Sequence, residues 1–365
     1  MKKILAFTMV MILALTMILG GCGTTEQAAT NSAATSTTPE TTVDTTAATS
    51  TVVDTNTVYP LVVKNYTKVE GGTEWSAKEI TFDKAPERIV ATTRTAAEFL
   101  IHLGLGDKIV GVGGVFGEPD TLVETEFNKL KNLGKSYIGK EVAMSVNPDF
   151  IFGRGGLFDN ADWGVGTVDA LNEMGIKTYV MESSITGGTF ESIYKDIEMI
   201  GKIFNVSKGA DKFASELRAR QDAVEKTLST INQDKSFGYI HDGKAESFYI
   251  FSAYGETFFN DMFKMLKLKN VFENVQGDIS IESLIEANPD VLVTLHWDTE
   301  GEDATQKDEN PTINGVLTNP KLESMKAIKD NQVFVANYNH LFAYSYQSLD
   351  GLEKLAKELY PELYK

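Results

Sequence analysis

The strongest constraint on this 365-residue chain is a pattern that it carries twice. Glu141-Val-Ala-Met-Ser-Val-Asn-Pro-Asp149 and Glu282-Ser-Leu-Ile-Glu-Ala-Asn-Pro-Asp290 each run from a glutamate, through a mostly apolar stretch, into Asn-Pro-Asp. Phe150-Ile-Phe152 follows the first copy and Val291-Leu-Val-Thr-Leu295 the second. Proline disfavours helix in the residue before it, so each copy predicts a short helix, a stop and a buried strand. Two copies 141 residues apart predict two similar α/β lobes, each presenting a glutamate at the start of its helix. One such glutamate needs only the helix dipole to explain it. Two of them, at matched places, point to a paired role.

The rest of the folded part alternates strand and helix. Leu61 to Asn65 and Glu79 to Phe82 flank Gly71-Gly72 and predict an opening β-hairpin. Arg88 to Thr92 reads as a strand, Ala96 to Leu103 as a helix and Lys108 to Val112 as a strand. A helix near Val168 to Met174 precedes a strand over Lys177 to Met181. Phe190 to Phe204 places Ile193, Ile197, Ile200 and Phe204 on one helical face. A second periodic stretch, Lys208 to Ile231, lies between the two repeat copies and predicts a long connecting helix. Strands at Ser236 to Ile240, Val291 to Leu295 and Gln332 to Ala336 follow, with helices over Glu256 to Leu266 and Ser348 to Leu359. This alternation predicts an α/β fold: two Rossmann-like lobes with mostly parallel sheets, spanning residues 58–206 and 233–365 and joined by the helix at 207–232.

The N-terminus carries a different message. Met1-Lys2-Lys3 is basic, and Ile4 to Leu19 is apolar but too short for a comfortable membrane span. It ends in Leu19-Gly20-Gly21-Cys22, which is similar to a bacterial lipobox and would leave Cys22 as a lipid-bearing N-terminus. Cys22 is the only cysteine, so no disulfide can form within the chain. Residues 23–57, rich in Thr, Ala and Ser, lack the apolar surface to fold and predict a disordered tether. Together these imply a lipid-anchored protein on the outer face of a cytoplasmic membrane, with a spacer that suits a Gram-positive surface. The net charge of −17 argues against a nucleic-acid or anionic-lipid partner and permits docking on a basic protein face.

Open α/β sheets bind ligands beyond the carboxyl ends of their strands. In the first lobe that rule selects Thr93 and Arg94, Gly113 and Gly114, and Arg154 with Gly155 and Gly156. The chain has only five arginines, and two of them fall at these strand ends. Arginine's planar fork suits carboxylate or catecholate oxygens. In the second lobe the rule selects His241, Tyr254, His296 and Trp297. The loop after the last strand adds Tyr338, His340, Phe342 and Tyr344, with packing the preferred role for Phe342. His102 sits inside a helical pattern and reads as structural. A bare-metal site would need several histidines and carboxylates, and the arginines opposite would repel the cation. No dinucleotide fingerprint, Gly-x-Ser-x-Gly elbow or His-Glu-x-x-His pair is present, so no enzyme is expected.

With these residues in view, the chain resembles the helix-linked periplasmic-binding-protein family that serves ABC importers of iron–siderophore complexes, cobalamin and heme. The resemblance runs from about Ala77 to Tyr364. It is carried by Pro86-Glu-Arg-Ile-Val90, Leu103-Gly-Leu-Gly-Asp-Lys-Ile-Val-Gly111, the two Asn-Pro-Asp steps, and Asn319-Pro-Lys-Leu322 through Val333-Phe-Val335. It implies a monomer holding its ligand between the lobes, with Glu141 and Glu282 pairing with arginines of a permease. It implies no resident cofactor. Arg94 and Arg154 tilt the expected ligand toward an anionic ferric siderophore. Heme remains open, with His296, Tyr338 or His340 as axial ligands, either for import or in a surface receptor that needs no permease. Cobalamin, which wants aromatic walls and few charges, also remains open.

Overall fold

A computed structural model describes residues 56–244, 247–296 and 311–365. The signal stretch, Cys22, the tether up to residue 55, and Trp297 lie outside the described residues. Thr57, expected as the end of the tether, already belongs to the folded part. Its backbone N–H donates to Asn205 Oδ1 at 2.7 Å and its hydroxyl to the Lys202 carbonyl at 2.7 Å.

The described residues fall in one compact unit. Strands β1 (Leu61–Thr67) and β2 (Ser76–Phe82) pair as an antiparallel hairpin. The first lobe continues with β3 (Ile89–Ala91), α1 (Arg94–His102), β4 (Ile109–Val112), α2 (Glu124–Phe127) and α3 (Lys140–Met144). It closes with β5 (Phe150–Arg154), α4 (Val168–Glu173), β6 (Lys177–Met181) and α5 (Ser192–Ile203). Helix α6 (Ser207–Leu228) leads to the second lobe, which opens with β7 (Lys235–Lys244), β8 (Ser247–Ile250), α7 (Thr257–Met265), β9 (Leu268–Asn270) and α8 (Ile281–Ala287). Then come β10 (Val291–His296), α9 (Pro311–Thr318), α10 (Lys326–Lys329), β11 (Val333–Asn337), α11 (Tyr338–Leu341) and α12 (Ser348–Leu359).

The first sheet has the order β4-β3-β5-β6 and is parallel throughout. The second has the order β11-β10-β7-β8, with β9 also pairing β7; only β8 runs antiparallel. Both faces of the second sheet are covered. Val291, Val293 and Leu295 join one apolar cluster and Leu292 the other. That double burial explains why β10 reads as an unbroken apolar run.

The repeated Asn-Pro-Asp step has a physical account. Asn147 and Asn288 both take left-handed backbone angles, with φ of 47° and 41°, and so end their helices. The aspartate then ties its own strand to the first strand of the same lobe. Asp149 accepts from the backbone N–H groups of Glu87 at 3.0 Å and Arg88 at 2.8 Å, just ahead of β3. Asp290 accepts from the Ser236 N–H in β7 at 2.8 Å. Lys326 and that N–H hold the Asp290 carboxyl down at a pKa of about 2.

Helix α6 spans about 33 Å. Arg218 and Arg220, two residues apart, point to opposite sides of it. Arg218 pairs with Glu191 and lies 3.8 Å from the Tyr194 ring centroid beside α5. Arg220 pairs with Asp350 at 2.5 Å and Glu353 at 2.9 Å on α12. The connector is thus clamped to both lobes. The stretch after β11, expected as a loop, instead winds into α11, because the Asn337 side chain caps it by accepting from the Asn339 N–H at 2.9 Å.

Candidate functional site

An open cleft of 470 Å³ lies between the lobes. Arg154, the last residue of β5, sits in it, and the loops after β6 and before α7 supply Ser184, Ile185 and Glu256. Arg154 Nη1 donates to the Tyr338 hydroxyl at 2.8 Å and to the Phe342 carbonyl at 2.9 Å, bridging the lobes. The Tyr137 and Tyr338 hydroxyls share a short hydrogen bond. The guanidinium also lies 5.3 Å from the Tyr137 ring centroid and 6.0 Å from that of Tyr344. Burial works to discharge it, but the oxygens of Tyr338, Tyr137 and Tyr344 and the carboxyl of Glu256 together hold it firmly charged.

Among the described residues, no carboxylate forms an ion pair with Arg154. The acid that reaches this corner is Glu256, which accepts from the Tyr344 hydroxyl at 3.1 Å. Burial raises its pKa, with the Tyr344 hydrogen bond and the Arg154 charge working the other way. The other cation of the cleft, Lys68, is neutralised by Asp159 in a nearly buried pair. Arg154 is therefore a fixed positive charge facing the cleft, with Glu256 as a neighbouring acid but no ion pair among the described residues.

The cleft stands on one buried carboxylate. Asp196 on α5 accepts from the Tyr179 hydroxyl at 3.0 Å, from the Glu182 N–H at 2.7 Å and from the Ser183 N–H at 3.2 Å. Its Oδ2 also takes the Ser183 hydroxyl at 2.8 Å, and Ser183 Oγ lies 2.5 Å from the Tyr344 carbonyl oxygen. Next door, Ser184 Oγ accepts from the Gly155 N–H at 2.7 Å. The turn after β6, the turn after β5 and the C-terminal segment are pinned together at this point.

Of the residues selected at the strand ends and in the loop after the last strand, Arg154, Gly156 and Tyr344 line this cleft and Gly155 borders it. Tyr338 reaches it through Arg154. Arg94 does not line it. Its guanidinium turns back to Glu98 at 3.7 Å and stacks 4.5 Å from the Phe127 ring centroid. Thr93 is spent as the N-cap of α1, accepting from the Ala96 N–H at 3.2 Å. His241 packs in an aromatic group with Phe342 and Tyr249, at centroid distances of 5.2 and 5.4 Å. Tyr254 is exposed beside Gly255 at the cleft edge. His296 is placed as the last residue of β10.

His340 is buried and its Nδ1 has no hydrogen-bond partner. The Tyr338 hydroxyl is already committed to Tyr137 and Arg154, so neither residue offers an open axial position to the cleft. Burial, helped by Lys354, pulls the His340 pKa down to about 4. Because the folded value lies below the unfolded one, the neutral ring stabilises the fold above pH ~6.5, and that contribution drains away as the pH falls toward 4. Its full size is on the order of 3 kcal/mol. The raised carboxyls Glu98 and Asp196, each pushed up to about 7 by burial, act in the opposite sense. The expected result is therefore a difference: urea midpoints of His340→Gln should fall less steeply between pH 6.5 and 4 than those of the parent. Identical slopes would remove His340 from the pH response.

Further residues complete the walls. Trp75 and Lys68 come from the hairpin, Asp159 and Trp163 from the stretch after β5, and Ser184 from the turn after β6. The strand-end rule applied to β6 selects Ser184. An indole beside a Gly-Gly turn is a second readable sign.

Two α/β lobes with parallel-stranded sheets, joined through one helix and enclosing a cleft, have the architecture of a solute-binding protein. The chain belongs to the periplasmic binding protein family, which it matches over residues 89–338. It is 24% identical over 293 residues to YvrC of Bacillus subtilis, an uncharacterised ABC transporter substrate-binding lipoprotein, covering 80% of this chain and 85% of that one. It is 24% identical to the vitamin B12-binding protein of Vibrio parahaemolyticus, covering 62% of this chain and 78% of the relative. A solved protein of an ABC-type Fe3+-hydroxamate transport system from Saccharomonospora viridis shares the fold with a TM-score of 0.64 and 23% identity. That likeness covers 83% of this chain and 99% of the solved one. The chain is therefore a solute-binding protein of the ABC-importer type. No helix among the described residues is long and apolar enough to cross a membrane.

Proposed function

We propose that this protein captures an anionic metal chelate, a ferric siderophore, in the cleft between its lobes and delivers it to an ABC permease. The observation that carries the reading is Arg154, a cation at the cleft that forms no ion pair among the described residues and is ringed by phenols that donate and accept. Carboxylate, catecholate or hydroximate oxygens of a ferric complex would supply the missing negative charge. Glu141 and Glu282 stand exposed in the first turns of α3 and α8 and are the surfaces for permease arginines. Glu282 lies 3.9 Å from Lys321. Lipid on Cys22 would keep the receptor at the membrane.

A second reading, cobalamin, gains from Arg94: its engagement with Glu98 leaves the cleft one arginine rather than two. The Vibrio relative binds vitamin B12. Trp75 and Trp163 both line the cleft, so quenching of tryptophan fluorescence separates the readings. The panel is ferric catecholate, hydroxamate and carboxylate siderophores, hemin and cyanocobalamin. Saturable quenching by a ferric siderophore is expected. Saturation by electrically neutral cyanocobalamin alone would replace the ligand while keeping the transport role. Silence across the panel would remove the chelate reading. In cells, Glu141→Arg with Glu282→Arg should stop uptake while leaving binding intact.

A further inference from the structure

The N-terminal hairpin is more than a brace on the first lobe. The Asn65 side chain clips it to β6, donating to the Val180 carbonyl at 2.9 Å and accepting from the Val180 N–H at 2.8 Å. Tyr66 donates to Glu182 at 3.2 Å. Past this clip the hairpin loop bends over the cleft. Lys68 pairs with Asp159, and the same carboxylate accepts from the Gly71 N–H at 3.2 Å. Trp75 is thereby held in the cleft wall, half-buried, with Lys68 Nζ 5.9 Å from its ring centroid.

The indole fits against bare backbone. A Cβ built on Gly155 would come within 2.7 Å of Trp75 Cζ2, so only glycine allows the ring this close to the β5 turn that begins beside Arg154. Trp163 and Tyr344 face the same space, with Trp163 half exposed. Trp75 and Tyr344 both lie outside residues 89–338, the span shared with the family.

We infer that Trp75 is a specificity-determining residue that stacks on a planar arene of the ligand, and that the ligand is an aromatic chelate whose anionic oxygens face Arg154. This rests on the chelate reading and narrows it. An indole face attracts a flat conjugated ring more than a flexible aliphatic chain of the same area, because offset stacking adds to burial. Arg154 beside it supplies the charge for phenolate or catecholate oxygens on that ring. Catecholates combine both parts in one group. Aliphatic hydroxamates offer the charge-bearing oxygens without the arene.

Isothermal titration calorimetry on the full chain decides it, with a ferric tris-catecholate and with ferrioxamine, an aliphatic hydroxamate. The parent should bind the catecholate more tightly. Trp75→Ala should weaken the catecholate about tenfold, the size of one stacking contact with its burial, and change ferrioxamine by less than about threefold. Trp75→Phe should retain most of the catecholate affinity. Gly155→Ala, which leaves the indole present but displaces it, should reproduce the catecholate loss. Equal affinity of parent and Trp75→Ala for both chelates would overturn the inference and leave the chelate reading standing. Failure of the parent to bind either complex would overturn both.

Discussion

Replacing Arg154 with glutamine should weaken anionic-ligand binding about a hundredfold, the loss typical of removing one partner of a close charge pair. The same change should alter the thermal midpoint of the ligand-free protein little. The two effects separate because the guanidinium's hydrogen-bond partners are neutral, Tyr338 and the Phe342 carbonyl, and among the described residues no carboxylate forms an ion pair with it. Glutamine can still donate to the Phe342 carbonyl. Arg154→Lys keeps the charge and loses the planar fork, so its affinity should fall between the two. Titration of each variant with a ferric siderophore, beside a melt of the free protein, gives both numbers. An Arg154→Gln variant that binds within about threefold of the parent would mean that the ligand's charge is not read at this position.

Asp196→Ala should be the most damaging single change near the cleft, destabilising the protein by about 4 kcal/mol. The carboxylate is fully buried and its loss orphans the Tyr179 hydroxyl and two backbone N–H groups, while the Ser183 hydroxyl keeps the Tyr344 carbonyl. Burial raises its pKa to about 7 despite these donors. The folded state therefore binds the proton more tightly than the unfolded chain. The aspartate's contribution is full below pH ~4 and shrinks as the pH rises through about 7. The deficit of the variant, measured by urea unfolding, should accordingly be larger at pH 5 than at pH 8. Asp196→Asn, which retains an acceptor, should cost less. A deficit below about 1 kcal/mol for Asp196→Ala would show that the turns after β5 and β6 do not depend on this hub.

Local pattern carried the architecture. The strand at Lys177–Met181 and the helix at Ser348–Leu359 coincide with their expected bounds, because apolar periodicity defines each without help from elsewhere. The two Asn-Pro-Asp steps were legible for the same reason, and each does the same local job with a left-handed asparagine and a strand-tying aspartate. Side-chain direction was another matter. Arg94 and Arg154 hold equivalent strand-end positions in the sequence. Glu98, four residues on and fully buried, turns Arg94 into α1, while Arg154 finds only phenols and the cleft. Glu98 is a local partner, but Phe127 of α2 and the C-terminal groups around Arg154, which complete the choice, lie in no window on the chain. Trp75 was missed because a hairpin loop is normally solvated, and only the Lys68–Asp159 pair folds this one inward.

The cleft draws its opposite walls from the two ends of the folded chain, Lys68 and Trp75 early and Tyr338 to Tyr344 late. A nascent chain threading across a membrane therefore has no receptor until its last segment has emerged and docked. Cargo cannot be seized by a half-delivered molecule, and a prematurely terminated one is blind to it. Completion of the polypeptide and competence to scavenge become the same event.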